Sequence, residues 1–160
     1  MATGKTSVGK ALAEKINKKF VDLDDLIEKR MAKKIKEIFE QNGEAYFRKL
    51  EKETLKEIAQ NQNLVIGCGG GLVVDVENLN LLKKTGLVIC LSASVDEIMS
   101  RSQGTDERPL LNVDNPKARI VELLAKREPF YKQAHFMIDT TNLSIEEVVN
   151  KIIQIIKDYE

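Results

Sequence analysis

Gly4, Lys5 and Thr6 stand at the head of a stretch whose Val8, Leu12 and Ile16 recur at helical spacing. Backbone N–H groups at a helix N-terminus cradle phosphates, a lysine there reaches the terminal ones, and a hydroxyl ligates Mg²⁺. Gly4, Lys5, Thr6 and the adjoining Ser7 therefore read as the end of a phosphate-binding loop. Asp22 and Asp24 stand at the end of a short run, Phe20 to Leu23, that reads as a strand. Side chains repeat every two residues along a strand, so the two carboxylates should point the same way, and ligands of open α/β sheets gather at the carboxyl ends of strands. One carboxylate would serve a metal and the other an attacking hydroxyl; the alternative for Asp24 or Asp25 is a helix cap. Farther on, Phe47, Leu50, Thr54, Leu55 and Ile58 form an apolar helical stripe with Glu51 inside it and Arg48 at its edge. A carboxylate on a core-facing side is costly unless paired, which makes Arg48, three residues earlier, its partner. Either the two are a half-buried ion pair, or Glu51 steadies the Arg48 fork for a substrate carboxylate.

Gly69, Gly70 and Gly71 follow another apolar run, where a ligand can approach the backbone closely. Arg101 and Arg108 flank a polar stretch from Ser102 to Asn115, long enough to be a lid, and an arginine on such a loop can stabilise charge on a transferring phosphoryl group. Arg127 precedes Glu128 and Pro129, and the proline is expected to bend or end the helix at Glu128 and free Arg127 for a ligand. His135, the single histidine, reads as partly buried and structural. Cys68 and Cys90 are too few for a zinc cage and read as thiols.

The elements that must position these residues alternate between short apolar runs and longer amphipathic ones, the pattern of a parallel sheet covered by helices. Strands are expected at Phe20–Leu23, Leu64–Gly67, Leu87–Leu91 and Phe136–Asp139. Helices are expected over Leu26–Met31, Lys34–Glu40, Glu44 to about Ala59, Asn78–Lys84, Ser94–Arg101 and Pro116 to about Lys132, with a break at Asn42 and Gly43. Asn115 before Pro116 is an N-cap followed by a first helical residue, and Ser144 with Glu147 makes a capping box for a last helix striped by Ile145, Val148, Val149, Ile152, Ile153 and Ile156. The 160 residues, 42% of them apolar, suit one domain, and 25 basic against 25 acidic residues leave no net field for nucleic acid or an anionic membrane. No apolar run approaches the roughly 20 residues needed to span a bilayer. MATGKTSVGK carries no secretory h-region, so the expected compartment is the cytoplasm.

Taken together, Gly4-Lys5-Thr6, Asp22-x-Asp24, Phe47-Arg48-x-x-Glu51, Gly69-Gly70-Gly71, Arg108-Pro109-Leu110-Leu111 and Arg127-Glu128-Pro129-Phe130-Tyr131 resemble, in order and spacing, the shikimate kinases. The resemblance covers nearly the whole chain. It implies an α/β P-loop kinase of the nucleoside-monophosphate-kinase type, a five-stranded parallel sheet flanked by helices. It also implies ATP-dependent phosphorylation of the 3-hydroxyl of shikimate, on the way to chorismate and the aromatic amino acids. Carried over, Gly4, Lys5, Thr6 and Ser7 would hold ATP, and Thr6 and Asp22 the Mg²⁺. Asp24 would meet the substrate hydroxyls. Arg48, Arg127 and the turn Gly69–Gly71 would hold shikimate, Arg108 would close over the phosphates, and Arg101 would lie against adenine. Lys5, Asp24 and Arg108 are the implied catalytic residues. A monomer of one domain is expected, with substrate helices at about 25–60 and a lid at about 102–115.

Two departures are visible. Cys68 stands where the family usually has Ser or Thr, a weaker hydrogen-bond partner. The family's first strand and the first glycine of its phosphate loop are absent, the chain beginning three residues before Gly4. The expectation from this is a shortened polypeptide, poorly stable and weak for ATP, that an upstream extension restores. The competing readings are a kinase for another small polyol acid such as gluconate, from which Arg48 with Arg127 separates it, and a nucleotide-binding remnant without turnover.

Overall fold

The structure, a computed structural model, describes residues 2–102 and 113–159. The run opens with α1 (Lys5–Lys15), then β1 (Lys19–Asp22), α2 (Leu23–Met31), α3 (Ile35–Ile58) and β2 (Leu64–Gly67). A single 3₁₀ turn at Leu72–Val74 leads into α4 (Val76–Thr85), β3 (Ile89–Ser92) and α5 (Val95–Ser102). After the break come α6 (Pro116–Tyr131), β4 (Phe136–Asp139) and α7 (Ile145–Tyr159). The expected α/β alternation is thus present. No helix among the described residues is long and apolar enough to cross a membrane.

The strands pair in parallel as β1 with β2 and β3 with β4. Among the described residues these are two separate pairs rather than one five-stranded sheet, because β2 and β3 do not bond to each other. β1, β2 and β3 instead line one cavity of about 1730 Å³. Register sets the site: Asp22 lies beside Gly67, so the acidic end of β1 and the glycine turn after β2 emerge together. Alternation along β2 divides the apolar interior, since Ile66 packs with Leu23, Ile27 and Leu55 under α2 and α3, while Val65 packs with Val8, Leu12 and Val149 under α1 and α7.

Local chemistry explains where elements differ from expectation. The Asp22 carboxylate accepts from the Asp24 N–H at 3.1 Å and starts α2 at once. Asp24 therefore sits in a helical first turn, not beside Asp22 on a strand, and neither Asp24 nor Asp25 is the cap. α3 runs through Asn42 but is bent at Gly43, whose φ of 80° belongs to the left-handed region that glycine alone enters freely. Phe39 and Phe47 stack across that bend with centroids 4.9 Å apart. Pro129 does not end α6, which continues to Tyr131. A proline one turn from a helix end forfeits a single internal bond, too little to stop it there. Asn115 caps α6 through a 3.0 Å bond from the Ala118 N–H, and Ser144 and Glu147 form their reciprocal box at α7. Ile145 is exposed, so the α7 stripe begins at Val148.

Candidate active site

At the phosphate end, Gly4 caps α1 with no side chain of its own on the free N–H groups. Those donors and the helix dipole make this an anion site of the ordinary kind. Asp22, 8% exposed, organises what surrounds it: Thr6 donates its hydroxyl to Oδ2 at 2.9 Å, and Lys5 Nζ lies 3.3 Å from the same oxygen. A phosphate arriving at the helix would compete with Asp22 for Lys5.

Two residues on, in the first turn of α2, Asp24 is the group with spare capacity. Its Oδ1 is buried with no hydrogen-bond partner among the described residues. Burial holds its pKa above the ordinary carboxylate value, with Lys5 pulling it back and Asp22 adding to the rise. Cys68 lies half-buried near the same charges, and desolvation pushes its thiol up to about 12, so it stays protonated. Cys90 is likewise a free thiol.

The second half of α3 brings Arg48 and Glu51 onto the glycine turn. Glu51 is 1% exposed and ion-paired with Arg48, whose other guanidinium edge is held by Glu44 at 2.9 Å. Burial lifts the Glu51 pKa to about 7, against the opposing pull of Arg48. The turn itself must be bare. A Cβ on Gly71 would stand 2.6 Å from the Arg48 guanidinium, and one on Gly70 would stand 2.7 Å from the Tyr131 hydroxyl. Gly69 faces Glu51 and Asp24. Arg127, reaching in from α6, is 7% exposed and has no carboxylate within ion-pair distance among the described residues. Four charged side chains from three helices thus converge on three glycines, two of them cationic and one cation lacking a counter-ion.

The shikimate kinase family model matches residues 1–157. The chain belongs to the shikimate kinase family. A shikimate kinase of Thermodesulfovibrio yellowstonii is 50% identical over 160 residues, spanning 100% of this chain and 91% of that one. One from Caldanaerobacter subterraneus subsp. tengcongensis is 44% identical over 154 residues, 96% of this chain and 90% of the other. Among solved structures, the shikimate kinase of Acinetobacter baumannii in complex with shikimate superposes with a TM-score of 0.97 at 36% identity, covering 100% of this chain and 90% of that one. That of Bacteroides thetaiotaomicron gives 0.90 at 34% identity, covering 98% and 94%. The activity that follows from family membership is ATP-dependent phosphorylation of shikimate, and the gluconate and remnant readings give way to it.

The remaining expected residues are distributed unevenly in this kinase. Gly4, Lys5, Thr6, Ser7, Asp22, Asp24, Arg48, Gly69, Gly70, Gly71 and Arg127 all line the one cavity. Arg101 does not line it; it is bound to Glu97 at 2.8 Å and to the Thr140 hydroxyl at 3.2 Å. Arg108, with the rest of 103–112, lies outside the described residues. No cluster of three or more His, Cys, Asp or Glu among the described residues makes a metal cage. A magnesium ion shared with nucleotide phosphates needs only one or two protein oxygens, and the Thr6 hydroxyl against Asp22 fits that donor set. Sequence reasoning missed Glu44, visible afterwards as an i, i+4 partner of Arg48, and gave Tyr131 no role.

Proposed function

We propose that this chain transfers the γ-phosphoryl group of ATP to the 3-hydroxyl of shikimate through the residues converging on the glycine turn. Arg127 and Arg48 grip the substrate carboxylate, Glu51 holds Arg48 still, and the backbone of Gly70 and Gly71 borders the ring. The hydroxyl is presented to Asp24, whose unpartnered Oδ1 accepts its proton as oxygen bonds to phosphorus and the ADP oxygen departs. Lys5 moves from Asp22 to the phosphates and offsets their growing charge. Thr6 and Asp22 would hold Mg²⁺, which supplies charge neutralisation between the phosphates when bound. We assign residues 1–160 to one kinase domain, with substrate helices at about 25–60, acting as a cytoplasmic monomer.

The observation that carries this reading is Arg127. A guanidinium removed from water without a carboxylate partner is costly, and a bound anionic substrate would offset that cost. The test is ADP release from ATP with shikimate, with gluconate and with neither, repeated for Arg127→Lys. Release only with shikimate is expected, and the variant, keeping charge but losing the fork, should raise KM for shikimate far more than KM for ATP. An effect confined to ATP would move Arg127 to the nucleotide side.

A further inference from the structure

Tyr131 closes α6 four residues after Arg127, so the two side chains share one helix face. Its hydroxyl donates to the Gly70 carbonyl at 3.0 Å. The Arg127 guanidinium lies beside the same oxygen, close enough to pull on the phenol's pKa, and having only donors it can give a hydrogen bond there but not take one. One half-buried oxygen therefore joins the C-terminal turn of α6 to the glycine turn after β2, two segments 61 residues apart in sequence. The close approach is built in, because a Cβ on Gly70 would sit 2.7 Å from that hydroxyl and 3.6 Å from Arg127 Nη1. Burial outweighs the pull of Arg127 and holds the phenol pKa above its usual value, so the hydroxyl stays a donor at neutral pH. Arg127 has no carboxylate to set the plane of its fork, and Tyr131 takes that place.

We propose that Tyr131 is a positioning residue for substrate recognition: its hydroxyl bolts Arg127 to the Gly70 carbonyl, fixing the guanidinium and the glycine backbone in one geometry. This rests on the reading of Arg127 as a ligand of the substrate carboxylate. A fork locked before binding loses less freedom when the carboxylate arrives, so the effect falls on substrate affinity rather than on the transfer step.

The experiment is a double-mutant cycle on the full chain, with Tyr131→Phe, Arg127→Lys and the pair, reading KM for shikimate, KM for ATP, kcat and the urea midpoint. Tyr131→Phe should raise KM for shikimate about tenfold, the size expected for a hydrogen bond to a charged group, with KM for ATP and kcat within about twofold. In the Arg127→Lys background the same change should raise KM less than about twofold further, since the group it positions is gone. An equal factor in both backgrounds, an equal rise in KM for ATP, or a Tyr131→Phe chain that fails to fold would make the tyrosine merely structural and overturn the proposal. A wild-type chain without shikimate-dependent turnover would instead strike the proposed function, and the positioning role with it.

Discussion

At the scale of single residues, the site separates carboxylates by what touches them. Asp22 is saturated by Thr6, Lys5 and the Asp24 N–H, whereas Asp24 keeps a buried oxygen free. That asymmetry supports the proposal that Asp24 takes the hydroxyl's proton, and Asp24→Asn should then lower kcat by about 10²- to 10⁴-fold while KM for ATP moves little. Wild-type turnover in that variant would remove Asp24 from the proton's path. Glu51 makes a different prediction, about stability. Its folded pKa of about 7 lies above the ordinary 4.5, so over that window the folded chain binds a proton that the unfolded chain releases. The stabilisation is complete below the ordinary value and is lost as pH rises through about 7. Arg48, Asp24 and Arg127 are the charges that face it. Urea midpoints of the wild type should therefore fall relative to Glu51→Gln as the pH is raised across this window, and parallel profiles would mean that Glu51 does not titrate there. The Arg48–Glu51 pair was legible in sequence because a charge inside an apolar stripe needs a partner, and the helix supplies one three residues away. Tyr131 was not, because nothing local says that its hydroxyl will meet a carbonyl 61 residues distant.

Among elements, the legible features were those written over a few consecutive residues: the Asn115 and Ser144 caps, the apolar β2 run, the interruption at Gly43. The reading failed where one residue serves two structures. Asp22 is both the last residue of β1 and the cap of α2, and that dual service moved Asp24 off the strand. Gly43 matters beyond its own backbone, since the bend there aims the half of α3 that carries Arg48 and Glu51. Nothing lies within 4 Å of a Cβ built on it, so the obstacle to a side chain is conformational. Gly43→Ala should destabilise the chain by about 1–3 kcal/mol, the cost of a Cβ-bearing residue in a positive-φ extended conformation that only glycine adopts freely. Urea unfolding checks this; a gain in stability would mean that α3 simply straightens and that Phe39 and Phe47 do not hold the bend.

Strand partnership at the scale of the whole molecule joins segments remote in sequence, Ile89 with Phe136 and Lys19 with Leu64, and periodicity carries no information about it. Composition could say that the chain is one balanced apolar and charged mixture, but not that β1, β2 and β3 would border a common cavity. A cavity of about 1730 Å³ edged by β1, β2 and β3 extends from Lys18, Leu64 and Val88 to Gly4–Ser7 and the glycine turn, and the residues that could meet ligand gather at that second end. The proposed phosphate end lies on α1 beside β1, and the proposed substrate end draws on α3, the glycine turn and α6. Ligands that bind only the folded chain stabilise it by mass action, about 2.7 kcal/mol for each held at a hundred times its Kd. ADP and shikimate together should accordingly raise the urea midpoint more than either does alone. In Arg127→Lys the increment from ADP should survive while that from shikimate shrinks. Equal shikimate increments in wild type and variant would show that the buried guanidinium does not read the substrate, whatever its charge suggests.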